Sequence, residues 1–224
     1  MMPVHMRSSV RRAAGTATFA FVVAGLSMAQ PRGATAQPQA EMPAETQREI
    51  VVYANDLPKG ALSEFVFWKD ATSPGGRLVG TPNTGGNLDP PPESDPNVNF
   101  KVQVQGGVPY RCWVRMKVGT PKGVSKANVL WVQFAGAVDK AGKEILKPGT
   151  ASYMTAQGSA KPGWEWVPCV RNVAGTTEQL VTFKSAGEVA VRVQAGMEGV
   201  GFDQLVLSPA RYIEKAPAEA VVKP

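Results

Sequence analysis

Apolar and polar residues alternate over short runs along this chain, and no run sustains a helical period, so strands are the expected elements. Residues 110–118 give the plainest case. Tyr110, Cys112, Val114 and Met116 fall on one face, and Arg111, Trp113, Arg115 and Lys117 on the other. Residues 99–105 set Phe100, Val102 and Val104 against polar partners in the same way. Further strands are expected at 49–54, 65–69, 77–79, 128–134 and 179–184. Near the end, Val189, Val191 and Val193 alternate with Ala190, Arg192 and Gln194, a glycine-rich run at 195–201 reads as a tight turn, and residues 202–207 form another strand stopped by Ser208-Pro209. These last two strands are expected to pair as a closing hairpin. Residues 81–96, heavy in Pro, Gly, Asn and Asp, are expected as a long surface loop. Many short strands with Gly/Pro-rich turns predict an all-β fold: an antiparallel β-sandwich, or jelly roll, in a single domain.

The two ends read differently. Arg7, Arg11 and Arg12 precede the apolar run 13–29, and small-x-small sites follow at Ser27-Met28-Ala29 and Ala34-Thr35-Ala36. This predicts a signal peptide over 1–36, too short and too weakly apolar for a membrane span, and hence a secreted or periplasmic protein with no membrane span after cleavage. Residues 37–48, rich in Pro, Ala, Gln and Glu, read as a disordered linker. The sandwich is expected over 49–209, and 210–224 as a flexible tail in which Tyr212 and Ile213 are the residues able to dock.

Removing the signal changes the charge. Four of the 24 basic residues lie within 1–36, which holds no acid, leaving 20 against 18 acids. The basic balance belongs mainly to the signal, so no nucleic-acid partner is inferred. His5 is the single histidine and leaves with the signal. A mature chain without histidine has no Ser-His-Asp, Cys-His or histidine–zinc site. No two acids are placed at a common cleft either, so the chain is read as a non-enzyme requiring no cofactor. The two cysteines, Cys112 and Cys169, form an even pair in an exported chain and suggest a disulfide; two buried free thiols are the other reading.

Four segments in order, VPYRCWVR at 108–115, NVLWVQF at 128–134, GWEW at 163–166 and the closing pair of strands, resemble the galactose-binding-like β-sandwich, in particular bacterial secreted carbohydrate-binding modules. The resemblance implies that a tryptophan on the GWEW segment lines a cleft formed by loops at one end of the sandwich. It also implies that an Asn near position 128 donates to sugar hydroxyls, although Val129 replaces the usual Ser that follows. Modules of this kind often hold a structural calcium near the first strand and the last hairpin. Glu49, Glu198 and Asp203 are the acids that stand there in this chain; Asp203 equally suits a turn cap or a pair with Arg192.

Sugar rings offer C–H patches and a rim of hydroxyls, so a site for them combines an aromatic face with polar side chains. Trp164 and Trp166, in a loop-like run between Gly163 and Pro168, share a face, with Glu165 opposed. Trp113 and Arg115 share a strand face and suit a cation–π pair. Trp131 reads as core, and Tyr153 and Trp68 as rim residues. The carbohydrate-binding candidates are therefore Trp164, Trp166, Asn128, Trp113, Arg115 and Tyr153. Two functions are open. One is a secreted, non-catalytic carbohydrate-binding protein with a polysaccharide partner. The other is a structural or protein-interaction sandwich that docks another exported protein.

Overall fold

The fold comes from a computed structural model and is described for residues 48–82, 86–93, 96–118, 128–159 and 161–222, which belong to one compact unit, Met42–Pro224. The signal expected at 1–36 and almost all of the linker lie outside the described residues. So do residues 119–127. Among the described residues, fourteen strands follow in order. They are β1 (Ile50–Tyr53), β2 (Leu62–Ser63), β3 (Val66–Lys69), β4 (Arg77–Gly80), β5 (Asn97–Val104), β6 (Pro109–Val118) and β7 (Val129–Phe134). Then come β8 (Ala137–Val138), β9 (Met154–Gln157), β10 (Trp164–Val173), β11 (Thr176–Glu178), β12 (Leu180–Phe183), β13 (Gly187–Ala195) and β14 (Val200–Ser208). The named strand pairs are antiparallel, and two layers form the expected β-sandwich.

One layer is built on β6. Strand β14 pairs along one edge of it, while β10 and β12 share the other. Beyond β14 lie β1 and β4, and β3 pairs β4. The second layer runs β2-β5-β13-β7-β9. Strand β10 joins the layers, since residues 164–168 pair with β6 and Cys169 and Val170 pair with β9. Pro168 stands where the partner changes, a place that tolerates a residue without an N–H.

The core fills with the alternating positions read from the sequence. Tyr110, Cys112, Val114 and Met116 are buried against Leu130, Val132, Phe134, Val191 and Val193. At roughly 25 cal/mol per Å² of apolar surface, each such side chain contributes about 1.5–3 kcal/mol to folding. Gln133, on the other face of β7, is also buried. Its Nε2 donates to the carbonyls of Lys147, Thr150 and Ser152, and its Oε1 accepts from Gly149 N, tying down the 147–152 loop.

Several expectations are corrected. The closing pair of strands is not a hairpin: β13 pairs with β5 and β7, β14 with β6, β4 and β1, and the glycine-rich turn crosses between layers. The GWEW segment is strand rather than loop. Trp131 lies outside the core and packs on Tyr153, with ring centres 5.7 Å apart. Cys112 and Cys169 are free, fully buried thiols rather than a disulfide. They are neighbours on β6 and β10, where each serves as a small apolar side chain. Burial pushes the Cys112 thiol up, and a thiol–thiol hydrogen bond with Cys169 adds to this.

Candidate functional site

Cross-strand partners point to the same side of a sheet, so register alone assembles the site. Trp164 stands opposite Lys117, Trp166 opposite Arg115, and Pro168 opposite Trp113. Lys117 faces Gly201 on its other side, Gly201 faces Gly80, and Gly80 faces Val66. These residues share the outer face of the β6 layer, away from the core. Trp68, two residues beyond Val66, shares that face; it is 48% exposed and its indole N–H donates to Gly80 O at 3.3 Å. The glycines keep the floor between Trp68 and Trp164 low. A Cβ on Gly201 would meet Leu78 Cδ1 at 2.7 Å and Val79 O at 2.9 Å.

Trp164 is fixed by charge and by its edge. The Arg115 guanidinium lies 4.5 Å from its ring centre and Lys117 Nζ 5.3 Å away. Its Nε1 donates to Thr72 Oγ1 at 2.8 Å. Each cation has an acid partner: Arg115 Nη1 lies 2.5 Å from Asp203 Oδ2, and Lys117 Nζ lies 2.5 Å from Asp70 Oδ2. Asp70 also accepts from the Thr72 amide and hydroxyl. Burial raises the Asp70 carboxyl, but the Lys117 and Thr72 hydrogen bonds outweigh it and hold the group below its usual range. At Asp203 the balance is reversed. Burial dominates and pushes the carboxyl up to about 6 despite the Ser73 hydroxyl and Arg115. A β-bulge between Phe202 and Gln204 turns Asp203 toward Arg115, a re-aiming of side chains that bulges commonly provide.

Beside Trp164 opens a cleft of about 620 Å³, lined by Arg115, Trp164, Glu165, Trp166 and residues 216–220. The segment expected as a flexible tail forms its far wall. Trp166 Nε1 donates to Glu219 O at 2.9 Å, and Trp113 Nε1 donates to Tyr212 O at 2.7 Å. Trp113 is 6% exposed beneath this segment. The expected Trp113–Arg115 stack is absent: Arg115 covers Trp164 instead, and Arg111 lies 5.1 Å from the Trp113 ring. Glu165 points through to the other side, where Ser159 N donates to its carboxylate at 2.7 Å.

Trp164, Trp166, Arg115 and Trp113 are thus brought together on one face, and Asn128 and Tyr153 are not. Asn128 Nδ2 donates to Gly158 O and its own carbonyl accepts Gly158 N, a reciprocal tie between β7 and the end of β9. Tyr153 stands with Trp131 on the other layer. The calcium candidates also separate. Glu49 accepts from Ser208 Oγ and Arg211 N at one end of β14, Glu198 accepts from Gly86 N before its other end, and Asp203 holds Arg115 between them. Among the described residues no three His, Cys, Asp or Glu side chains converge as metal ligands, so this trio does not fit one calcium ion. Asp70, Thr72 and Lys117 also surround Trp164 and are not among the residues expected from the sequence. The alternation of Lys117 with Trp113 and Arg115 was the available signal; the Asp70 loop carried none.

No family model matches the chain. No curated protein matches it. Among solved structures, the fold is similar to a GH26-CBM35 β-(1,4)-mannanase of Podospora anserina, with 10% identity and a TM-score of 0.48 over 76% of this chain and 29% of that one. It is similar to the C-terminal CBM6 of a laminarinase from Zobellia galactanivorans, with 10% identity and a TM-score of 0.44 over 72% of this chain and 99% of that one. It is also similar to a carbohydrate-binding module of Cellvibrio mixtus lichenase 5A solved with cellotriose, with 17% identity and a TM-score of 0.44 over 72% and 98% of the two chains.

Proposed function

We propose that the protein is an exported, non-catalytic carbohydrate-binding sandwich that stacks a polysaccharide on Trp164, with Trp166 and Arg115 beside it. The observation that carries this reading is the placement of Trp164. Its indole sits on a strand, braced by Arg115 and Lys117, at the edge of a cleft lined by both tryptophans. A rigid aromatic ring ringed by hydrogen-bonding side chains suits the apolar faces and hydroxyl rim of a sugar. A guanidinium has five N–H donors, so Arg115 keeps donors beyond those that hold Asp203. Of the two carboxylates bordering the cleft, Glu165 is turned to the opposite side and engaged by Ser159, which favours binding over hydrolysis. Screening the full chain against an array of plant, algal and bacterial polysaccharides tests the proposal. Retention on at least one is expected, and none would overturn it.

One observation favours the second reading, a protein-interaction sandwich. The N–H groups of Trp113 and Trp166 are both taken by backbone carbonyls of the chain's own C-terminal segment. A face that satisfies peptide groups in this way is suited to a polypeptide partner.

A further inference from the structure

Four side chains from four strands hold residues 212–221, and each bonds to the backbone of the segment. Trp113 and Trp166 donate to the carbonyls of Tyr212 and Glu219, and the Tyr53 hydroxyl donates to Val221 O at 2.5 Å. Gln204 donates its Nε2 to Val221 O at 2.6 Å and accepts Val221 N on Oε1 at 3.0 Å. A single amide side chain thereby reproduces the paired donor and acceptor that one strand offers another.

The segment is held as a ligand would be held. Residues 209–222 contribute no strand to either layer, and none of them belongs to the buried core cluster. None of the four anchoring contacts uses a side chain of the segment. Its middle, Ala216-Pro217-Ala218-Glu219-Ala220, carries mostly small side chains that let the backbone approach the indoles. Pro217 also biases the residue before it toward an extended form, which lowers the ordering entropy of docking.

The geometry points to a peptide-binding face: Tyr53, Trp113, Trp166 and Gln204 take a non-strand, alanine-rich segment with Pro217 at its middle through its backbone. Residues 212–221 fill the face in the isolated chain, and a segment of the same chemistry from outside competes with them. This inference deepens the protein-interaction reading and does not require the carbohydrate reading.

The test uses the full chain with a specific protease site inserted after Ala210, folded first and then cut. The fragment is expected to leave on dilution and gel filtration while the sandwich keeps its far-UV circular dichroism. A labelled peptide of residues 211–224 should then rebind saturably. Gln204→Ala and Trp166→Phe should each weaken rebinding roughly tenfold, as loss of one or two hydrogen bonds implies. A fragment released only when the whole sandwich unfolds, or rebinding unchanged in both variants, would overturn the inference. Hydrogen exchange on the uncut natural chain gives a second readout. The Val221 amide should exchange much faster than Leu205 in β14, and equal protection would contradict an exchangeable segment. No sugar enters these assays, so their outcome is separate from that of the polysaccharide array.

Discussion

Arg115 holds its guanidinium 4.5 Å from the centre of the Trp164 ring while its Nη1 lies 2.5 Å from Asp203 Oδ2. The carboxylate is fully buried and the ring borders the cleft, so Arg115 connects a desolvated charge to the exposed face of the layer. That link gives the site a dependence on pH. Burial leaves the folded-state pKa of Asp203 at about 6, above the ordinary 3.8. The folded chain therefore binds this proton more tightly than the unfolded chain. The contribution to stability is full below the unfolded value and is lost as pH rises through about 6. Urea midpoints of the natural chain and Asp203→Asn, compared from about pH 4 to 7.5, should drift in favour of the variant as pH rises. A difference that is constant with pH would contradict this.

The paired thiols of Cys112 and Cys169 are sealed in the core. Because the thiolate is the reactive form and burial raises the Cys112 pKa, a colorimetric thiol reagent should find no reactive cysteine in the folded chain and two after denaturation. Reaction without denaturant, or no thiol after it, would count against the free pair.

Gln133 ties the 147–152 loop to β7 through four hydrogen bonds. Gln133→Ala leaves three carbonyls and one N–H without this partner. A loss of roughly 1–3 kcal/mol in unfolding free energy is expected, with faster proteolysis at the loop. Unchanged stability would mean that solvent replaces these bonds at no cost.

Gly201 is needed for close approach rather than for an unusual backbone angle. An added methyl meets a backbone oxygen as well as Leu78, so side-chain rotation alone does not make room. Gly201→Ala should destabilise by roughly 1–3 kcal/mol, whereas alanine at Gly107, where a Cβ meets nothing within 4 Å, loses stability only through its positive φ of 74°. Equal effects at the two positions, or none at Gly201, would be at odds with the packing.

The alternation in β5 and β6 was readable because each strand sends one apolar face into the core, and Tyr110, Cys112, Val114 and Met116 lie where the period of two puts them. Strand β14 was harder. All nine of its residues are buried, with Phe202, Leu205 and Leu207 in the core and Gln204 and Ser208 bonded to Val221 and Tyr212 of the C-terminal segment, so its apolar pattern does not state its partners. A turn between two apolar strands looks alike whether they pair or part into separate layers, and the hairpin expectation failed for that reason. Pro168 hid β10, since a proline argues against a central strand unless the strand changes partner there. At the site, Trp164 and Trp166 were legible from their i, i+2 spacing. The Arg115–Trp164 stack depends on cross-strand register, which no local pattern carries.

The most direct test of the carbohydrate reading is the affinity of the natural chain and of Trp164→Ala for a polysaccharide retained in the array, measured by titration calorimetry at equal folded fraction. Loss of a central aromatic anchor should weaken binding by about 2 kcal/mol, roughly thirtyfold, with the unfolding midpoint little changed. Binding that survives Trp164→Ala undiminished would contradict the site.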